Sequence, residues 1–310
     1  MSVNVLGPAY VQYQHPSLAE AERFLSDFGF TACGGTGATR YFRGVEAGGY
    51  CYVAHEGPRE FIAGGFEVVD VDALIGASRT IIGASPVRPL SGPGGGSYVE
   101  LRDPDGFRID LIAGRETLEP LAGTDATIVN FGDRKQRFGQ FQRFERRPAR
   151  VRRLGHFGFN VSSFERSFAW YHDNLGMTAS DTLHAGPAGD DVAAFMRVDR
   201  GVEWVDHHSV FFLASPTTHV HHCSFEVQDP DEVMMGNEWL KARGWKPFWG
   251  VGRHILGSQV FDYWRDCSGF VIEHYADGDI LHRGHRSERH DVADEALSVW
   301  GPPPPSDFLD

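Results

Sequence analysis

The chain has 310 residues, 41% of them apolar and 23% charged, which excludes a disordered polymer and gives length for about two domains. Lys and Arg number 29 against 42 Asp and Glu, and the net charge of −13 excludes bulk attraction to a nucleic-acid backbone or an anionic membrane surface. No apolar run nears the ~18 residues needed to span a bilayer. Residues 1–10 carry no basic and apolar leader, and Cys33, Cys51, Cys223 and Cys267 are scattered without a CxxC, so a cytoplasmic chain with free thiols is expected.

The first strand-like run, Leu6-Gly7-Pro8-Ala9-Tyr10-Val11-Gln12-Tyr13, leads into a helix over 17–28. Leu18, Ala21, Phe24 and Phe28 fall at helical spacing there, and Gly29 stops it. A second run, Ala63-Gly64-Gly65-Phe66-Glu67-Val68, precedes a helix over 71–82. The turn Asp103-Pro104-Asp105-Gly106 then opens a β-rich run that reaches Asp110. Residues 115–149 are polar and charged and read as a linker, and the basic run through Arg153 reads as solvated. Leu154-Gly155-His156-Phe157-Gly158-Phe159-Asn160-Val161 starts the pattern again, with a helix over 163–175 closed by Gly176. His221-His222-Cys223-Ser224-Phe225-Glu226-Val227 and a helix over 231–243 match the second run. A turn at Asp266-Cys267-Ser268-Gly269 opens the last run, which reaches Glu273. Beyond Asp277 the chain is His- and Pro-rich. It is expected to be loosely packed or laid over a neighbour, with His282, His285 and His290 in solvent.

The recurrence divides the chain into four strand–helix–strands modules, 5–60, 61–114, 150–217 and 218–277. The halves become an N-terminal domain over 1–114 and a C-terminal domain over 150–277, joined by the linker 115–149 and followed by the tail 278–310. Histidine is the commonest metal ligand, and the chain has 15. Two copies of H-x-x-F-x-V select which of them to examine. Alternate residues of a strand share a face, so Phe159 and Val161 oppose His156, and Phe225 and Val227 oppose His222. That parity selects His222 over His221. With Glu273 at the end of the last run, two imidazoles and one carboxylate stand at register-matched places. This is the donor set of a facial triad for non-haem Fe(II) with open coordination positions. In the N-terminal half the same three places read Pro8, Ala63 and Asp110, so that half is expected to hold no metal.

The C-terminal half resembles the vicinal oxygen chelate superfamily, and within it the two-domain type I extradiol ring-cleavage dioxygenases. The resemblance rests on Gly252-Arg253-His254, Phe261-Asp262-Tyr263-Trp264-Arg265-Asp266, Gly269 and Glu273, and on Asp206-His207-His208-Ser209-Val210. Two residues depart from the family pattern. Asp262 stands where an apolar residue is usual, and Cys267 replaces a turn proline.

The resemblance implies an α+β fold of four βαβββ modules paired into two barrel-like domains. It implies His156, His222 and Glu273 as ligands of Fe(II), with Mn(II) left open as a replacement. It implies His208 as the acid–base residue, and His254 and Tyr263 as partners of the substrate hydroxyls. Phe195, Trp204, Phe248 and Trp249 are expected around the substrate. His207, His219, His221 and His274 are expected to point away from the site. The implied reaction is Fe(II)-dependent extradiol cleavage of a catechol-type aromatic diol by O₂, giving a 2-hydroxymuconate-semialdehyde-type product. The implied assembly is a homo-oligomer with no nucleic-acid or membrane partner. The alternatives are another metalloenzyme of the superfamily (a hydroquinone or 2-oxo-acid dioxygenase, or a glyoxalase-like isomerase) and a non-catalytic protein that binds an aromatic ligand.

Overall fold

The structure, a computed structural model, describes residues 3–292 and 297–309. Each module is a strand, a helix and a meander of strands. The first holds β1 (Val5–His15), α1 (Leu18–Phe28), β2 (Thr31–Thr36), β3 (Thr39–Arg43) and β4 (Tyr52–Glu56). The second holds β5 (Glu60–Val68), α2 (Val71–Thr80), β6 (Arg88–Pro89), β7 (Ser97–Arg102) and β8 (Arg108–Ala113). The third holds β9 (Arg153–Val161), α3 (Phe164–Leu175), β10 (Thr178–Ala185), β11 (Asp190–Arg197), a short β12 (Val205–Asp206) and β13 (Val210–Ala214). The fourth holds β14 (His219–Glu226), α4 (Pro230–Ala242), β15 (Pro247–His254), β16 (Val260–Arg265) and β17 (Val271–Ala276). In each module the last of these strands returns parallel to the first, and the two modules of a half join antiparallel, β1 to β5 and β9 to β14. This is the expected α+β arrangement of four βαβββ units, curled into an eight-stranded and a ten-stranded sheet.

Local chemistry sets the helices. Ser17, Asp70, Ser163 and Asp229 cap the four N-termini with a side-chain oxygen, and Gly29 and Gly176 end α1 and α3 in the left-handed conformation. The apolar faces of both sheets meet in one core, where Phe66 packs on Phe157 and Phe107 stacks on Phe159. Phe157 and Phe159 are fully buried, and each such ring contributes roughly 2–3 kcal/mol of burial. His274 ties the halves together, its Nε2 bonded to the Phe28 carbonyl at 2.7 Å and its ring stacked on Phe28. The four cysteines are free thiols. No helix among the described residues is long and apolar enough to cross a membrane.

Three expectations change here. The tail is not loosely packed. It adds β18 (Ile280–Leu281) against β12, β19 (Glu288–Asp291) along β10 and β20 (Ser298–Trp300) along β15. Its end is anchored where Asn160 donates to the Leu309 carbonyl at 3.1 Å and Phe308 is buried. Nor are the arginines that follow the linker simply solvated: Arg152 pairs with Glu46, and Arg153 with Asp206 and Glu226.

The third change concerns the repeat. Ser224 on β14 pairs with His156 on one side and Glu273 on the other. Its counterpart Gly65 pairs with Tyr10 and Asp110. Tyr10, not Pro8, therefore stands where His156 stands. Linear alignment on Leu-Gly is off by two residues. Both pairings carry a register shift just before this place, skipping Ala9 in one half and Gly155 in the other. Gly155 is required there, because a Cβ would overlap the Tyr275 ring.

Candidate metal centre and substrate cavity

His156 from β9, His222 from β14 and Glu273 from β17 converge. The two Nε2 atoms are 3.1 Å apart, and they lie 3.4 and 4.0 Å from Glu273 Oε2. Glu273 is wholly buried, and neither of its oxygens has a hydrogen-bond partner among the described residues. An uncompensated buried carboxylate costs several kcal/mol, so the place calls for a cation. Burial holds His222 well below the ordinary imidazole value, which leaves it neutral and able to offer a lone pair. Three donor atoms within 4.8 Å of one another, all buried, fit a divalent metal.

The N-terminal half makes the same point by contrast. Asp110 occupies the place of Glu273 but is fully partnered. Arg108 grips it with Nε at 2.8 Å and a terminal nitrogen at 3.2 Å, and the Tyr10 hydroxyl donates at 2.7 Å. A guanidinium supplies there the charge that Glu273 lacks. Arg108→Met is expected to lower stability by about 3 kcal/mol, as breaking a buried pair does. Burial already pushes the Asp110 carboxyl up, which lets it escape by protonation and limits the loss. Urea unfolding measures it, and Arg108→Met combined with Asp110→Leu should recover most of it. A double variant as unstable as the single one would show that the ion pair is not the cause.

Beside the triad lies a cavity of about 300 Å³. His156, His208, His222, His254 and Tyr263 form one end, and Leu183, Phe195, Phe211, Leu213, Val292, Leu297 and Leu309 much of the rest. The His208 ring packs 4.0 Å from His156, and burial keeps it well below the ordinary imidazole value. His254 donates from Nδ1 to the Leu297 carbonyl at 2.9 Å. The neutral ring then has a bare Nε2, which accepts from the Tyr263 hydroxyl at 3.0 Å. Thus the tail both walls the cavity and orients His254.

Of the four residues expected around the substrate, Phe195 lines the cavity. Trp249 stands behind it, stacked on Tyr263. Trp204 and Phe248 do not line it. Trp204 is 63% exposed against His282, and Phe248 borders a separate depression with Arg59 and Arg265. His221 was expected to point away, yet it lines the cavity and meets His222 with the two Nδ1 atoms 2.7 Å apart. The β9–β14 register skips His221, and this bulge sets adjacent side chains on one side instead of opposite faces. His207 does not line the cavity, but its Nδ1 lies 3.1 Å from His208 Nδ1. His290 is not in solvent but bonds Asp181 at 3.2 Å.

Residues 153–274 match the model of the Glyoxalase/Bleomycin resistance protein/Dioxygenase superfamily. The chain is 31% identical to metapyrocatechase 2 of Cupriavidus necator over 299 residues, covering 95% of this chain and 88% of that one. It belongs to the type I extradiol ring-cleavage dioxygenases of the vicinal oxygen chelate superfamily. The iron-dependent extradiol dioxygenase of Rhodococcus jostii is 27% identical over 154 residues, 48% of this chain and 50% of that one. A substrate complex of homoprotocatechuate 2,3-dioxygenase from Brevibacterium fuscum superposes with a TM-score of 0.82 at 18% identity, over 99% of this chain and 92% of that one.

Within this dioxygenase family the departure at Asp262 now has a physical account. Asp262 faces away from the cavity, where it accepts from Trp264 Nε1 at 2.6 Å and Asn237 Nδ2 at 2.9 Å. It pins β16 to α4 and does not meet substrate. Cys267 keeps the turn, whose geometry Asp266 maintains by accepting from the Ser268 and Phe270 amides.

Proposed function

We propose that this protein is an Fe(II)-dependent extradiol dioxygenase that opens the ring of a catechol-type diol. The bare, wholly buried Glu273 carboxylate facing two imidazoles beside an apolar cavity carries this reading. The iron dependence of the Rhodococcus relative supports the choice of metal. His156, His222 and Glu273 would hold the iron, which would supply Lewis-acid activation of the diol and redox chemistry toward O₂.

The chain's own residues would do the rest. A catechol must lose at least one proton to chelate. His208, neutral and inside the cavity, is the base placed to accept it and the acid placed to return it. The Tyr263 hydroxyl, now spent on His254, can turn its proton to the ionised substrate oxygen, with His254 as partner to the second. The apolar walls keep bulk water from the opened ring and strengthen every charged contact within.

The test is the full chain loaded anaerobically with Fe(II) and mixed with a panel of catechols in air. Stoichiometric oxygen uptake with a yellow 2-hydroxymuconate-semialdehyde-type product is the expected result. Iron bound at one per chain with no uptake on any catechol would sink the proposal.

A further inference from the structure

The acid–base role rests on His208, and a row of buried polar side chains backs that ring on the side away from the cavity. His207 Nε2 lies 2.7 Å from Asp181 Oδ2, and His207 Nδ1 lies 3.1 Å from His208 Nδ1. Asp181, on β10, also accepts from His290 Nε2 of β19 at 3.2 Å, so the tail closes the far side of this row. Ser180 beside it donates to the His207 carbonyl, and Arg197 holds Ser180 at 2.9 Å. His207 and His208 are both 4% exposed, so water does not replace these partners.

We propose that Asp181 and His207 are positioning residues that fix which nitrogen of His208 carries its proton. The inference rests on the role given to His208 above. A carboxylate only accepts, so His207 carries its proton on Nε2. A neutral His207 then has a bare Nδ1, which accepts from His208 Nδ1–H. The opposite nitrogen of His208, Nε2, is left bare and ready to take a proton from a substrate hydroxyl. Burial pulls the Asp181 carboxyl upward, but the hydrogen bonds it accepts from His207 and His290 outweigh it and hold it below the usual range, ionised as the row requires. Without the row, His208 is free to present Nε2–H, a donor where a base is needed.

The experiment uses the full chain with ¹⁵N-labelled histidine, loaded with diamagnetic Zn(II), together with kinetics of the Fe(II) form. Ring ¹⁵N spectra are expected to show His208 protonated at Nδ1 and bare at Nε2. In His207→Leu that preference is lost, and kcat falls roughly 10–100-fold with KM within about twofold, the size expected for an outer partner of a catalytic group. His207→Asn, whose amide oxygen falls near Nδ1 and can still accept, should recover most of both readouts. Asp181→Leu, which has no acceptor for His207 Nε2–H, should resemble the His207→Leu variant in the spectrum. A wild-type His208 protonated at Nε2, or His207→Leu with unchanged tautomer and kcat, overturns the proposal while leaving ring cleavage intact. Absence of ring cleavage in the wild type would instead refute the reading on which it rests.

Discussion

Glu273→Gln and His222→Ala are expected to fold yet purify without stoichiometric iron, with ring cleavage lowered by well over ~100-fold, since even outer partners of metal ligands are worth 10–100-fold. The glutamine variant carries a second signature. Glu273 is a buried carboxylate whose oxygens have no partner among the described residues. In metal-free protein, replacing it by a neutral amide of the same shape should raise stability by about 1–3 kcal/mol. Added Fe(II) should stabilise the wild type and leave the variant unmoved. Metal analysis and paired melting curves with and without Fe(II) measure both. A Glu273→Gln protein that is less stable when metal-free would mean that Glu273 has a protein partner and is no ligand. His221→Ala gives the graded control. It should still bind metal but roughly 10–100-fold more weakly, because it removes the ring that meets His222 Nδ1.

His208→Phe is expected to keep its iron and lose kcat by about 10²–10⁴, the range for a positioned acid–base group. The phenyl ring fills the same space against His156 but cannot move a proton. KM should change little if binding is carried by chelation and by the apolar walls. Steady-state kinetics beside iron content separates the cases. Equal losses of iron and activity would mean that His208 supports the metal rather than the proton transfer.

Much of this was legible in one sequence because it depends on local periodicity. Helix positions followed from the 3.6-residue spacing of residues such as Phe164, Tyr171 and Leu175, together with caps such as Ser163 and Gly176. The module repeat followed from recurrence of the same short runs. His156, His222 and Glu273 could be singled out because strand parity holds over a few residues, and the sheets do bring these three together. The failures are also physical. A bulge inserts a residue with no mark in composition. One such bulge turned His221 into the cavity, while the Leu-Gly match that set Pro8 against His156 is a chance recurrence two residues out of structural register, Tyr10 being the true counterpart. His207 was set aside because adjacent residues of a strand are expected on opposite faces, but it precedes β13 in a non-regular segment and backs His208.

The sequence by itself determined the four modules, the helix caps and the candidate donor set, because each depends on neighbours a few positions away. Only the tertiary structure decided that Asp110 is neutralised by Arg108 and Tyr10 while Glu273 is left bare. It likewise decided that the tail, read as loosely packed or laid over a neighbour, supplies the Leu297 carbonyl that orients His254 and the Phe308 ring that packs on Tyr263 and His221. These contacts join residues tens of positions apart. Charge compensation and cavity closure depend on which distant groups the sheets bring within a few ångströms, and no local pattern encodes that distance.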